Sequence, residues 1–240
     1  MRWHEVTAFM GGTFDPPHLG HREAVEGLFE NPGVSQVRIL PSPVPPQKAR
    51  STSLEHRIAM TRLAFGRSSM IPFSRPVELD LREIKRAETQ PGIASYTFDT
   101  LSELKREFPM AAFVIGTDQL AGLPTWHRFP EILGLSHWIV LERKGETPGT
   151  AILKQWESSG LVREEAGAWR TFSREPAFLK VVPTSARKVS STEIRENLAK
   201  SSETHIRAAE TALLPEVLDY LKRHRLYGTG GPSAQSTSGL

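Results

Sequence analysis

The sequence predicts an α/β fold: a parallel sheet with helices on both faces, in one domain spanning residues 1–228. Two observations carry this. Short apolar runs alternate with stretches of helical pattern, and strands spaced by helices argue for a parallel sheet covered on both sides. The first of these runs ends in two glycines and leads into a helix start, a strand, glycine loop and helix unit typical of such sheets. A chain of 240 residues is long enough to bury a sizeable core.

The elements follow in order. "VTAFM" (Val6 to Met10) reads as a buried strand ending at Gly11 and Gly12. Asp15 before Pro16 reads as an N-cap with proline at the first helical position, and "HREAVEGLFE" continues to a turn at Asn31-Pro32-Gly33. "VRIL" (Val37 to Leu40) is the next strand, "PSPVPPQK" a loop, and "SLEHRIAMTRLAF" a helix from Ser53 with Leu54, Ile58, Met60, Leu63 and Ala64 towards the core. "VELD" (Val77 to Asp80), a helix from about Ser95 to Glu107, the strand "AAFVIG" (Ala111 to Gly116), a short helix near Pro130 to Leu135, and the strands "HWIVLE" (His137 to Glu142) and "FLKVV" (Phe178 to Val182) continue the alternation. The stretch from Lys144 to Pro176 gives no clear pattern. "STEIRENLA" and "PEVLDYLKRH" are terminal helices, and residues 229–240, without charge or aromatic side chain, are expected to be a disordered tail.

Composition narrows the function. There is no cysteine, which excludes disulfides and thiolate metal sites and fits a reducing cytoplasm. No signal peptide or membrane span is evident, so a soluble, cytoplasmic protein is expected. Thirty basic against 27 acidic residues leave a net charge of +3. Arg38, Lys48, Arg50, Arg57 and Arg62 against Glu55 suggest a local positive patch rather than a basic tail.

The glycine loop, "GGTFDPPHLGH" (Gly11 to His21), lies where free N–H groups and a helix dipole favour phosphate. His18 and His21, three apart at the helix start, share one face and can aim at one anion, whose charge would draw both imidazoles towards the protonated form. A metal pair, or a purely structural helix start, are the other readings of this stretch. Neither a Walker loop nor a dinucleotide fingerprint is present. A second stretch, "VSSTEIR" (Val189 to Arg195), opens a helix with Ser190, Ser191 and Thr192 and sets Arg195 one turn on, an arrangement suited to a β,γ-phosphate or to an ordinary cap with a surface arginine.

Gly12, Phe14, Pro16, His18, Gly20 and His21 spell G-x-F-x-P-x-H-x-G-H, which resembles the first motif of the nucleotidyltransferase superfamily; chance would produce it in a chain this long roughly once in a million. "VSSTEIR" is similar to that superfamily's second motif, S-S-T-x-I-R. Within it, the chain from Val6 to Tyr227 resembles the bacterial nicotinate-nucleotide adenylyltransferases. "PPQK" resembles their P-P-H-K, with Gln47 in place of histidine; "SYTFDTL" (Ser95 to Leu101) their pyridine-site segment; "VIGTDQLAGLPTWHRFPEI" (Val114 to Ile132) their G-x-D and tryptophan stretch; and "VLERKG" (Val140 to Gly145) their strand ending in arginine.

The resemblance implies a Rossmann-like nucleotidyltransferase fold and adenylyl transfer from ATP to nicotinate mononucleotide in NAD biosynthesis, with Mg²⁺ accompanying ATP. It assigns catalysis to His18, His21, Lys48 and Arg195. Nucleotide contacts fall to Gly12, Thr13, Phe14, Gly20, Ser190, Ser191, Thr192, Tyr96, Thr97, Gly116, Asp118, Trp126 and Arg143. Each has a chemical sense and a plainer alternative. Lys48 brings charge to a phosphate or is a solvated loop lysine. Trp126 stacks on a pyridine ring or packs in the core. Asp118 accepts from ribose hydroxyls or caps the next helix. Arg143 meets phosphate or is a solvated strand end. N–H groups at Tyr96 and Thr97 would favour a carboxylate over a carboxamide. Small-molecule substrates are the expected partners, without nucleic acid, membrane or a protein-held metal. A pantetheine-phosphate adenylyltransferase is a rival that lacks the Trp126 segment. A non-catalytic nucleotide or nucleic-acid binder is another, which the basic composition permits but no aromatic-basic array supports. His56, His127 and His137 read as packing or surface residues.

Overall fold

A computed structural model of the chain describes residues 1–43, 52–66, 69–91, 95–200 and 202–229. Five strands build its parallel centre and left flank: β1 (Thr7–Gly12), β2 (Gln36–Pro41), β3 (Val77–Leu79), β4 (Ala111–Gly116) and β5 (His137–Arg143). Three more, β6 (Val162–Glu165), β7 (Ala168–Thr171) and β8 (Phe178–Thr184), complete one eight-stranded sheet in the order β3-β2-β1-β4-β5-β8-β7-β6. β8 pairs parallel to β5, whereas β7 and β6 are antiparallel.

Alternation along the strands explains why both faces are covered. Ala8, Ile39, Val114, Ile139 and Val182 join one apolar cluster with α1 (Leu19–Glu30), α2 (Leu54–Phe65), α7 (Ser191–Ala199) and α9 (Pro215–Arg223). Their neighbours Phe9, Leu40, Phe113, Ile115 and Val140 join the other, with α4 (Thr97–Glu107), α5 (Thr117–Gly122) and α6 (Gly149–Ser158). Period-two burial on each strand therefore feeds two separate cores. The remaining helices, α3 (Arg82–Thr89) and α8 (Glu203–Glu210), bury little more than Ile84 and Ala209.

Three sequence expectations are corrected. The sheet is not wholly parallel: Lys144 to Pro176 forms α6 and an antiparallel hairpin, turned at Ala166 and Gly167 with φ of 50° and 75°, the two positive values a tight hairpin requires. Alanine at the first of them hid the turn. The core stripe of α2 is Arg57, Met60, Thr61, Ala64 and Phe65, with Leu54, Ile58 and Leu63 only partly buried, because Arg57 is drawn inward by four backbone carbonyls. Two members of the expected positive patch are drawn into other roles: Arg57 is buried and Arg38 is paired with Glu78 at 2.9 Å; Arg62 is exposed, and Lys48 and Arg50 lie outside the described residues. The tail beyond Thr229 also lies outside them. Among the described residues no helix is long and apolar enough to cross a membrane.

Candidate active site

Because β1, β4, β5 and β8 are parallel, their carboxyl ends share one edge, and the N-termini of α1, α5 and α7 follow from loops at that edge. Helix α4 runs back to the start of β4, so its N-terminus faces the same edge. The carboxyl edge of an open parallel sheet is where ligands bind.

Helix α1 starts at Leu19, later than the sequence suggested, and His18 is its N-cap. His18 Nδ1 accepts the His21 N–H and His21 Nδ1 accepts the His18 N–H, both at 3.3 Å. The rings stack with centroids 3.6 Å apart. With both Nδ1 atoms accepting, each neutral ring carries its proton on Nε2 and offers that N–H outward from the cap. Burial, then Arg143, lowers His18 to about 4, with a smaller opposing pull from Glu23. His21 is held well below its ordinary value by burial, then by His18 and Arg143. In the free protein the pair is therefore neutral.

Asp15 does not cap the helix, as its side chain is committed elsewhere. It is 1% exposed and accepts from Tyr227 Oη at 2.5 Å and from the Thr52 N–H at 3.3 Å. Phe14, at φ 50°, is buried with its ring edge-on to His21 at 5.1 Å, so it supports the histidine from beneath. Gly12 makes room for that ring: a Cβ there would lie 2.8 Å from Phe14 Cζ. At Gly20 a Cβ would lie 2.8 Å from the Arg187 carbonyl and 3.2 Å from His18 Nδ1. These glycines serve close packing within the loop as well as any ligand. The Thr13 carbonyl accepts from Arg57 Nη1 at 3.0 Å, and Arg57 also donates to Ser42, Pro43 and Thr52 carbonyls. One buried guanidinium thus ties the loop after β1 to the loop after β2.

The second motif meets the first. Ser190 caps α7 by accepting the Glu193 N–H at 3.1 Å. Ser191 Oγ donates to the Pro16 carbonyl at 2.9 Å, and Arg195 Nη1 donates to the Asp15 carbonyl at 2.6 Å. Arg195 Nη2 also reaches Thr192 Oγ1 at 3.3 Å. The Ser191 hydroxyl is thus used to join the loops, which leaves the first-turn N–H groups of α7 and the rest of the Arg195 guanidinium as anion donors.

The remaining residues lie after β4, at the end of β5 and at the start of α4. Gly116 caps α5, and a Cβ on it would lie 2.5 Å from Asp118 Oδ1, so the exposed Asp118 carboxylate lies over the glycine. Thr117 Oγ1 donates to Glu146 at 2.6 Å, and Glu146 pairs with Arg143 at 3.5 Å, joining the ends of β4 and β5. Tyr96 is the N-cap of α4 in extended backbone and makes no side-chain cap, so the N–H of Thr97 opens the helix without a side-chain acceptor. The Tyr96 ring stacks on His127 at 4.3 Å and 24°, and Arg128 covers Phe98 at 4.1 Å. Trp126 is partly buried against the cluster that holds Phe98 and Leu101 of α4. Sequence reasoning missed His127 as the link, although its place directly after Trp126 was the available signal. It also missed Asp15, Tyr227 and Arg57. His56 and His137 are packing residues as expected: His56 Nδ1 lies 2.9 Å from Tyr220 Oη, and His137 Nδ1 accepts the Phe178 N–H at 3.1 Å. Lys48 and Gln47 lie outside the described residues.

No three His, Asp or Glu side chains converge to hold a metal ion among the described residues. Asp15 accepts from Tyr227 and Thr52 and has Arg195 at 3.8 Å.

Comparison with known proteins shows the family. The cytidylyltransferase-like family matches residues 9–197. A protein of Hahella chejuensis described as "Probable nicotinate-nucleotide adenylyltransferase" is 35% identical over 238 residues, covering 95% of this chain and 98% of that protein. One of Pectobacterium atrosepticum with the same description is 34% identical over 231 residues, covering 92% and 98%. Among solved structures, the Plasmodium falciparum nicotinic acid mononucleotide adenylyltransferase complexed with NaAD superposes with a TM-score of 0.71 at 19% identity, covering 95% of this chain and 99% of that one. At that identity the likeness is one of fold.

Proposed function

Because the chain belongs to the nicotinate-nucleotide adenylyltransferase family of cytidylyltransferase-like nucleotidyltransferases, we propose that it transfers the adenylyl group of ATP to nicotinate mononucleotide. The products are nicotinate adenine dinucleotide and pyrophosphate. The observation that carries the reading is the junction of the two phosphate motifs: Ser191 and Arg195 of α7 bond to the carbonyls of Pro16 and Asp15, beside the His18 and His21 pair.

The 5′-phosphate oxygen of the mononucleotide attacks the α-phosphorus in line. A new P–O bond forms as the bond to the β-phosphate oxygen breaks, and the electron pair leaves with pyrophosphate. A phosphate monoester with second pKa near about 6 is already an anionic nucleophile, so no general base is needed. Catalysis then consists of positioning and of stabilising charge on the moving phosphates. His18 and His21 donate Nε2–H to the ATP phosphates, His21 to the α-phosphate. Arg195, with the first turn of α7 at Ser191 and Thr192, holds the departing pyrophosphate, and Ser190 keeps that turn capped. The backbone at Gly12, Thr13 and Gly20 lines the phosphates, over the ring of Phe14. Lys48 supplies further charge and Arg143 a second cation near the histidines. Asp118 on the Gly116 turn accepts from ribose hydroxyls, Trp126 stacks on the pyridine, and the N–H groups at Tyr96 and Thr97 receive the nicotinate carboxylate. ATP enters as its Mg²⁺ complex, the ion held by phosphate and water.

The test is pyrophosphate release from ATP and Mg²⁺ with nicotinate mononucleotide, nicotinamide mononucleotide and phosphopantetheine in turn. The nicotinate compound is expected to be used best. Release with phosphopantetheine alone, or with none of the three, would overturn the assignment.

A further inference from the structure

We infer that Asp15 and Tyr227 are positioning residues that aim the Arg195 guanidinium, so that the turn at Leu226–Gly228 controls the pyrophosphate end of the site. This rests on the reading of Arg195 given above and goes beyond it, since the Asp15 carboxylate and the Tyr227 hydroxyl are bonded to each other.

The geometry is that of a buried carboxylate with one donor on each oxygen. Asp15 Oδ1 receives the Tyr227 hydroxyl at 2.5 Å, and Oδ2 receives the Thr52 N–H at 3.3 Å. Arg195 Nη1 lies 3.8 Å from Oδ2 and donates to the Asp15 carbonyl oxygen at 2.6 Å. Two donors from elsewhere in the fold therefore occupy the carboxylate, and Arg195 meets it only at the margin. The guanidinium is turned by its backbone bond and keeps its other donors for an anion. Burial and the Asp15 carboxylate push the Tyr227 hydroxyl well above its ordinary value, so it stays a donor to Asp15.

Tyr227 is held there by more than its hydroxyl. It sits in the 3-10 turn Leu226–Gly228 with φ 54°, after Arg225 at φ 52°, left-handed values that side chains other than glycine adopt only when the surroundings fix them. Thr229 Oγ1 closes the turn on the Leu226 carbonyl at 2.8 Å, and Gly228 lies against Ala199 at the end of α7. Helix α7 is thus gripped at its first turn by the Asp15-Pro16 loop and at its last by this turn. With the tyrosine hydroxyl removed, Asp15 is short of a donor, and Arg195 is the nearest cation able to supply one.

The experiment is a double-mutant cycle between Tyr227→Phe and Arg195→Lys, read by calorimetric affinity for pyrophosphate and by kcat and KM. Tyr227→Phe is expected to weaken pyrophosphate binding and to lower kcat, each about tenfold, while KM for the mononucleotide stays within about twofold. In the Arg195→Lys background the same change is expected to cost less than about twofold. Asp15→Asn, which keeps an acceptor for Tyr227 but removes the charge facing Arg195, should show the same coupling if Tyr227→Phe does not fold. Equal losses in both backgrounds, or unchanged pyrophosphate affinity in Tyr227→Phe, would overturn the inference. Pyrophosphate binding reads Arg195 without the pyridine substrate, so a wrong substrate assignment would leave the cycle interpretable.

Discussion

Replacing His18 by Asn separates the two tasks of the histidine pair. Asn is as good an N-cap as any residue and accepts the His21 N–H in place of Nδ1, so stability at pH 8 should change by less than about 1 kcal/mol. It does not titrate, whereas His18 does, with a folded value lowered to about 4 by burial. The unfolded chain therefore takes up a proton that the folded chain refuses. Stability from this group is present above about pH 6.5 and lost as the pH falls towards 4. With those two values, about 2.5 kcal/mol disappears between pH 8 and pH 4.5. His137, also lowered to about 4, remains in both proteins; His21 loses the repulsion of a charged His18 in the variant, so the difference reads the stacked pair with His18 as its larger part. Urea unfolding at pH 8, 6.5, 5.5 and 4.5 should show wild type losing about 2.5 kcal/mol more than His18→Asn. Parallel pH profiles for the two proteins would refute a buried, neutral His18.

Three further outcomes are expected. His21→Ala should cost about 10²- to 10³-fold in turnover while ATP affinity changes little, because its Nε2–H acts on charge that develops in the transition state; steady-state kinetics check this, and near-normal turnover excludes the role. Thr97→Pro should raise KM for nicotinate mononucleotide about 10- to 100-fold with KM for ATP unchanged, the size of one hydrogen bond to a carboxylate. Proline is tolerated at this first helical position and suits the extended Tyr96 before it, at φ −94° and ψ 146°, so an unaltered KM would mean that the carboxylate binds elsewhere. Arg57→Met should lower stability by about 3 kcal/mol, since carbonyls of Thr13, Ser42, Pro43 and Thr52 lose a charged donor; a urea midpoint near that of wild type would show the carbonyls satisfied by other means.

What was legible in the sequence was local. The strand at Val6 to Met10, the loop after it and the capped start at Ser190 are set by residues adjacent in the chain, and so were both phosphate motifs. The start of α1 was misjudged because Asp15, an excellent cap by type, is claimed by Tyr227 from the far end of the chain. Helix α3 was missed because its sequence, with only Ile84 buried, carries charge on most of its surface. The hairpin after α6 was missed because Ala166 stands where a left-handed residue is needed. Arg57 read as a surface cation since nothing near it in sequence reveals the carbonyls of two distant loops. Long-range polar contacts of this kind assemble the site, and no periodicity or spacing announces them.

Direct transfer is tested most directly at the phosphorus. With one diastereomer of ATP carrying sulfur on the α-phosphate, and nicotinate mononucleotide as acceptor, the configuration of the thio-dinucleotide product can be determined. A single in-line displacement guided by His18, His21 and Arg195 gives inversion. Retention, which requires two displacements and an adenylyl-enzyme on one of those histidines, or failure to form the dinucleotide at all, would contradict it.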